Sequence, residues 1–147
     1  MNQIYEFYNR ATEYLQKLNW LPPLLARLTV GWVFVESGWG KLHNIPKVTE
    51  FFISLGLPDP AFQAHLVATT EFGCGLLLLF GLLTRLASVP LTIVMTVAIM
   101  TAKRSEIESF SDIFGFSEYL YTVLFVWLII VGAGSISVDH LVKQWRK

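Results

Sequence analysis

The chain has 147 residues, enough for one domain; 54% are apolar and 15% charged, where a soluble domain carries roughly 25% charged residues. Formal net charge is zero, so bulk electrostatics give no reason to expect nucleic acid as a partner. The single cysteine, Cys74, excludes an internal disulfide and any CxxC redox or metal motif.

Residues 1–20 read as an amphipathic helix. Ile4, Phe7, Tyr8, Ala11, Tyr14, Leu15 and Leu18 share one side, and Glu6, Arg10, Glu13 and Lys17 fall mostly elsewhere. Its aromatic residues suit a membrane interface; packing against the protein's own loops is the alternative. The segment lacks the basic start, apolar run and cleavage site of a secretory signal. The first span is therefore expected to act as the insertion signal and stay in place.

Pro22 and Pro23 open a first apolar span over 21–42, a tolerated place for proline. It holds Arg27 and Glu36. A loop over 43–61 contains a short apolar piece, Val48 to Leu57, and ends in the turn sequence Gly56-Leu57-Pro58-Asp59-Pro60. The second span covers 62–84 and holds Glu71. A short turn at Arg85 makes the second and third spans antiparallel neighbours. The third, 86–102, contains no Asp, Glu, Lys, Arg or His, and Pro90 is expected to kink it mildly. A polar loop over 103–118 leads to the fourth span, 119–135, within a run to Val138 that is again free of those five residue types. About 20 residues at 1.5 Å rise cross the hydrocarbon core. The end of the chain, 141–147, is a short basic tail with Trp145 at interface depth.

These elements predict an all-α protein: a transmembrane four-helix bundle over 21–140 preceded by an amphipathic interfacial helix. Lysine and arginine in the flanks set orientation. Arg10, Lys17, Arg85, Lys143, Arg146 and Lys147 lie on one side, six against the four of Lys41, Lys47, Lys103 and Arg104. Both termini are therefore expected in the cytoplasm.

Several strings, taken in order, resemble a known family. They are Arg27-Leu28 with Gly31, Phe34 and Gly40-Lys41-Leu42; Phe51 or Phe52 with Gly56-Leu57-Pro58-Asp59-Pro60; Glu71, Gly75, Leu79 and Gly81-Leu82-Leu83-Thr84-Arg85; and Gly132-Ala133-Gly134-Ser135-Ile136-Ser137-Val138-Asp139. This set resembles the DoxX family of small four-helix membrane proteins, over about residues 24–140. The resemblance implies a bundle in the bacterial inner membrane. Founding members are similar to the small subunit of a thiosulfate:quinone oxidoreductase; others are linked to oxidative-stress complexes or to gene clusters handling metals and modified peptides. The stretches Thr101 to Ile107 and Glu118 to Tyr121 resemble a subgroup tied to metal-related clusters. No redox motif in the chain supports the thiosulfate reading.

Charged groups inside spans cost about 2.5–3.5 kcal/mol each on insertion scales, so Arg27, Glu36 and Glu71 ask for explanation. With span centres near Gly31 and Gly73, Glu36 lies about 7–8 Å and Glu71 about 3 Å outside the midplane. Lys41, Lys103, Arg104, Tyr119 and Tyr121 fall on the same side. The expected candidate site is a ligand or proton cavity with Glu36 and Glu71 below a rim of Lys41, Lys103, Arg104, Tyr119 and Tyr121. Two carboxyls with split titration would suit proton transfer or cation binding; the plain alternative is two carboxyls hydrogen-bonded to neighbouring helices. Arg27 and Glu36 are nine residues apart and fall on opposite faces. Arg27 shares its stripe with Gly31, Gly38 and Lys41, and Glu36 shares its own with Trp32 and Trp39. Arg27 is expected to reach the inner interface and form a structural ion pair with Asp139, which also reads as a first-turn acid of a helix capped by Ser137. Ala64, Ala68 and Gly75 around Glu71 predict close helix packing.

His43, His65 and His140 lack metal-type partners at helical spacing, so no metal site is assigned. Cys74 reads as a core residue. Tyr119, Tyr121 and Trp39 are interfacial anchors or, alternatively, the lining of a quinone pocket. The cofactor is unknown: quinone fits the resemblance, and no haem, flavin or metal motif is present. Expected partners are lipid and other subunits or further copies of the chain. Three classes of function remain: a membrane subunit assisting a redox or metal-handling system, a quinone-linked oxidoreductase subunit, and a small proton, ion or solute carrier.

Overall fold

The computed structural model describes residues 2–145, and the side chains of all of these except 2–4 and Ala11. The expected side-chain places of Ile4 and Ala11 in the first helix lie outside what is described, and Arg146 and Lys147 of the tail lie outside the described residues. Among the described residues there are seven α-helices and no strand: α1 (Asn2–Lys17), α2 (Leu21–Leu42), α3 (Ile45–Ser54), α4 (Pro60–Phe80), α5 (Thr84–Thr101), α6 (Ser117–Val131) and α7 (Val138–Trp145). Two 3-10 turns, Arg104–Glu106 and Phe110–Gly115, interrupt the loop between α5 and α6.

Turn chemistry sets these bounds. Proline occupies the first turn of α2, α3 and α4, where its missing N–H has no partner to lose. Gly81 ends α4 in the left-handed conformation at φ +65°, which costs glycine nothing. Gly132, at φ +87°, ends α6 at Val131. The uncharged run predicts a fourth span over 119–135; the helix starts two residues earlier, at Ser117, and stops four residues sooner. α6 has 15 residues, about 22 Å of rise, and the chain beyond it turns through Gly132 and Gly134.

α2, α4, α5 and α6 pack around a shared core. Val30 and Phe34 of α2, Leu78 of α4, Ala87, Leu91 and Met95 of α5, and Phe125 and Leu128 of α6 form one buried cluster. Phe34 meets Phe125 edge-on at 5.0 Å and Tyr121 at 5.5 Å, fastening α2 to α6. α2 and α4 run antiparallel at backbone contact. An added Cβ would meet Phe72 N at 2.3 Å from Gly38, Leu79 N at 3.0 Å from Gly31, and Val35 N at 2.8 Å from Gly75. Small residues permit this approach, and the expected stripe Ala64, Ala68, Glu71 and Gly75 is the buried face of α4.

A few polar side chains lie buried beside the apolar core, while many large apolar ones face outward. Arg27, Glu71, Thr84 and Ser88 are buried, while Trp32, Phe62, Leu66, Leu86, Ile93 and Ile130 are more than half exposed. Such a surface is stable against hydrocarbon, not water. On α5, Ser88, Thr92 and Thr96 each donate to the carbonyl one turn back, so these hydroxyls, from buried Ser88 to exposed Thr96, are satisfied without water. α4 and α5 are each long and apolar enough to cross a bilayer. α2, which carries Arg27, Glu36 and Lys41, meets that standard only jointly with α1, from which it is bent by 46°. The apolar side chains of α1 stay open: Phe7, Tyr8, Tyr14 and Leu15 are all about two-thirds or more exposed, so packing on the protein's own loops does not cover them.

Candidate functional site

Glu71 sits at the centre of the α2–α4 seam and is 1% exposed. Its Oε2 accepts a 2.8 Å hydrogen bond from Ser37 Oγ and pairs closely with Lys41 Nζ. Lys41 Nζ also donates to Ser37 Oγ at 3.1 Å. Ser37 and Lys41 are four residues apart on α2, hence neighbours on one helix face. The close approach at Gly38 and Ala68 brings that face onto α4. The lysine side chain keeps 29% exposure: its stem lies on the bundle while its ammonium reaches down to the carboxylate. A buried carboxylate, a hydroxyl and an ammonium thus form one hydrogen-bonded triangle with one corner open to the outside.

That corner opens into a groove of about 530 Å³ between α2 and α3, lined by Glu36, Ser37, Lys41, Asn44 and Lys47 with Val33, Gly40 and Val48. Glu36 is exposed and points away from the helix seam, whereas Arg27 is buried. The opposite faces inferred from their nine-residue spacing are therefore real, and the Arg27 stripe is the one facing the other helices. The two acids are thus separated: Glu36 lies on the groove wall, and Glu71 lies in the seam beneath Ser37 and Lys41.

The remaining residues of the expected rim are engaged elsewhere. Lys103 Nζ donates to both carboxylate oxygens of Glu106, at 2.9 and 3.1 Å, and lies 5.6 Å from the Phe116 ring. This hydrogen bond raises the Lys103 pKa above the ordinary lysine value. Arg104 is exposed at the start of a 3-10 turn. Tyr119 stacks edge-on against Phe114 at 5.1 Å, and Tyr121 against Phe34. Among the described residues, none of these four is hydrogen-bonded or ion-paired with Glu71. Trp39 packs on His43 and Phe72. Trp39, Tyr119 and Tyr121 thus stack on three different sets of partners and form no common pocket wall.

A second polar cluster lies where α4 turns into α5. Arg27 Nη2 donates to the Ile136 carbonyl, and Nε to Pro23 O at 3.4 Å. Its Nη1 points at Gly81, where a Cβ would stand 1.6 Å from it. Asp139 does not pair directly with Arg27: no ion pair within 4.0 Å joins them among the described residues. Instead its carboxylate accepts the backbone N–H groups of Leu83, at 2.7 Å, and Thr84, at 3.0 Å, and its own N–H donates to Gly81 O at 2.9 Å. Both residues meet the same turn, Asp139 as the missing N-terminal cap of α5 and Arg27 as a bolt packed against Gly81. Ser137 caps α7, its hydroxyl accepting from His140 N at 3.1 Å.

Each histidine ring bonds within its own helix: His43 to Trp39 O, His65 to Ala61 O and His140 to Gln144. Among the described residues no group of three His, Cys, Asp or Glu is placed to hold a metal ion. Cys74 packs at the edge of the apolar core. Ser37 is the member of the triangle that sequence reasoning passed over; its signal was a hydroxyl one helical turn before Lys41.

Comparison with known proteins places the chain in a family. The model of the DoxX family matches residues 22–104. The inner membrane protein YqjF of Escherichia coli is 30% identical over 142 residues, covering 89% of this chain and 100% of that protein. "Putative oxidoreductase CatD" of Bacillus subtilis is 30% identical over 126 residues, 84% of this chain and 89% of its own. A membrane protein of Mycobacterium tuberculosis is 41% identical over 85 residues, 56% of this chain and 52% of its own. No solved structure matches.

Proposed function

The chain belongs to the DoxX family, and from that premise we propose that it is a four-span membrane subunit assisting a redox or metal-handling partner, with the Ser37–Lys41–Glu71 triangle as its working site. The supporting observation is the triangle itself. A carboxylate inside a bilayer-exposed helix carries a penalty of a few kcal/mol, yet Glu71 is held by a hydroxyl and an ammonium that open to a groove rather than by backbone alone. Such a chain of groups can pass a proton between the groove and the interior, or orient an anionic or hydrogen-bonding ligand over Lys41 and Lys47. Glu36, on the groove wall, tunes that approach.

In this reading α2, α4, α5 and α6 are the four spans, α1 lies in the interface with its aromatic face in lipid, and 141–147 is a basic tail. Both termini lie in the cytoplasm of a bacterial cell, on the six-to-four basic count. The partner is a second protein or further copies of the chain. A second reading, a quinone-linked oxidoreductase subunit, draws support from the printed name of the relative CatD. The two separate on one experiment. The protein is purified in mild detergent from native membranes with a small affinity tag, its companions are identified by mass spectrometry, and its extract is assayed for quinone. A redox or metal-handling enzyme that co-purifies with wild type and is depleted in Glu71→Gln supports the first. Stoichiometric quinone with no companion supports the second. Neither companion nor quinone would sink both.

A further inference from the structure

We infer that the groove between the start of α5 and the end of α6 is a binding site for the phosphate headgroup of an anionic phospholipid. This groove, of about 520 Å³, is separate from the Glu71 triangle and shares no lining residue with it. Three basic side chains line it: Arg85 from the first turn of α5, and His140 and Lys143 from α7. Neither Arg85 nor Lys143 makes an ion pair among the described residues. The one acid in the lining, Asp139, already accepts the N–H groups of Leu83 and Thr84, one on each oxygen. The groove therefore sets two full cations, Arg85 and Lys143, against one carboxylate, and both oxygens of that carboxylate are turned to the start of α5.

A glycine leaves room for the arginine. At Gly132, whose φ of +87° favours glycine, an added Cβ would meet Arg85 Nε at 3.1 Å, so the guanidinium lies over bare backbone at the groove floor. The rest of the lining is apolar and open. Leu83, Leu86 and Val131 are 50%, 67% and 45% exposed. From Leu86 the exposed apolar stripe runs on through Val89, Ile93 and Val97 along α5, and from Val131 through Ile130 and Val126 along α6. A basic headgroup pocket that opens into two apolar helix faces fits an amphiphile with an anionic head and acyl chains. It does not fit a free anion, for which the apolar half would be superfluous. Charge near a membrane surface contributes roughly fivefold in affinity per lysine or arginine, so Arg85 and Lys143 together should favour an anionic over a zwitterionic headgroup by roughly 25-fold.

The test uses full-length protein in mild detergent, titrated with an equimolar mixture of phosphatidylglycerol and phosphatidylcholine and read by native mass spectrometry. Wild type should retain phosphatidylglycerol in at least tenfold excess. Lys143→Gln, at an exposed position that leaves the fold intact, should cut that preference several-fold. Arg85→Gln should do the same, while Arg104→Gln, the same charge change in the distant loop, should leave it unchanged. Inorganic phosphate in excess should not displace the lipid. Equal retention of the two lipids by wild type, an equal loss in Arg104→Gln, or displacement by phosphate alone would each overturn the assignment.

Discussion

Replacing Gly38 by alanine should prise α2 from α4. The added Cβ would stand 2.3 Å from Phe72 N, 2.8 Å from Phe72 Cα and 2.9 Å from Ala68 O, all backbone atoms that cannot rotate away. Ordinary contact begins near 3.4 Å, so the two helices must part by about one ångström along this line, in an interior packed too densely to absorb it locally. Overpacking of this kind costs about 1–3 kcal/mol. It acts between Ser37 and Lys41, so the same displacement should loosen their hold on Glu71. Thermal unfolding in a mild detergent, followed by circular dichroism or by burial of Cys74 against a thiol dye, reads the effect. Gly73→Ala is the control, since its Cβ would have nothing within 4 Å. Gly38→Ala should lower the midpoint by several degrees while Gly73→Ala leaves it level or raises it. A Gly38→Ala protein as stable as Gly73→Ala would refute the close-packed seam on which the site is built.

Further outcomes follow from the same geometry. Asp139→Asn removes the charge that caps α5, at a cost of about 1 kcal/mol, and should speed amide exchange at Leu83 and Thr84; unchanged exchange would reject the capping role. Arg27→Ala should destabilise more strongly, and because both residues grip the turn at Gly81 the double variant should lose less than the sum; strict additivity would mean separate roles. Gly81→Ala, whose Cβ would lie 1.6 Å from the Arg27 guanidinium at φ +65°, should reduce folded protein more than Gly132→Ala, and the reverse order would contradict the bolt. Single cysteines at Asn44 and Ser109 in a Cys74→Ser background should label from the same side of the membrane; labelling from opposite sides would defeat the four-span reading.

Much of the helical layout was legible, because in a membrane protein charge is scarce and its position speaks. Glu71 drew notice as a carboxyl in an apolar run, and the alanine and glycine spacing around it gave its buried face. The opposite faces of Arg27 and Glu36 followed from 100° per residue. Depth arithmetic, by contrast, gives height and not azimuth. It puts Lys103, Arg104 and the tyrosines at the rim on the same outer side as Glu71 but cannot say that Lys103 turns to Glu106, three residues on. That local pair was itself readable in the sequence and should have been preferred. The Arg27 contact with Ile136 O spans 109 positions, and the acceptor is a carbonyl that every residue carries, so no side-chain pattern announces it. Asp139 looked like a partner for the nearest buried cation; two unpaired N–H groups at the start of α5 claimed it instead, a demand visible only once the α4–α5 turn is drawn. The length of α6 misled for a related reason. An uncharged run reports what lipid tolerates, and Gly132 decides where the helix stops.

The triangle at Glu71 is tested most directly by Glu71→Gln in a strain lacking the chromosomal copy, with the protein restored to wild-type levels in the membrane. Glutamine keeps the shape and an oxygen for Ser37 but removes the charge that Lys41 pairs with. Removing one partner of a buried pair costs about 3–5 kcal/mol, a figure discounted here because Lys41 is 29% exposed and can swing to solvent. The variant should therefore fold, with wild-type abundance, helix content and elution. The account predicts that Glu71→Gln fails to restore the phenotype of the deletion while Glu36→Gln restores it in part. A Glu71→Gln protein that restores the phenotype in full would make Glu71 a packing residue and leave the site without a function.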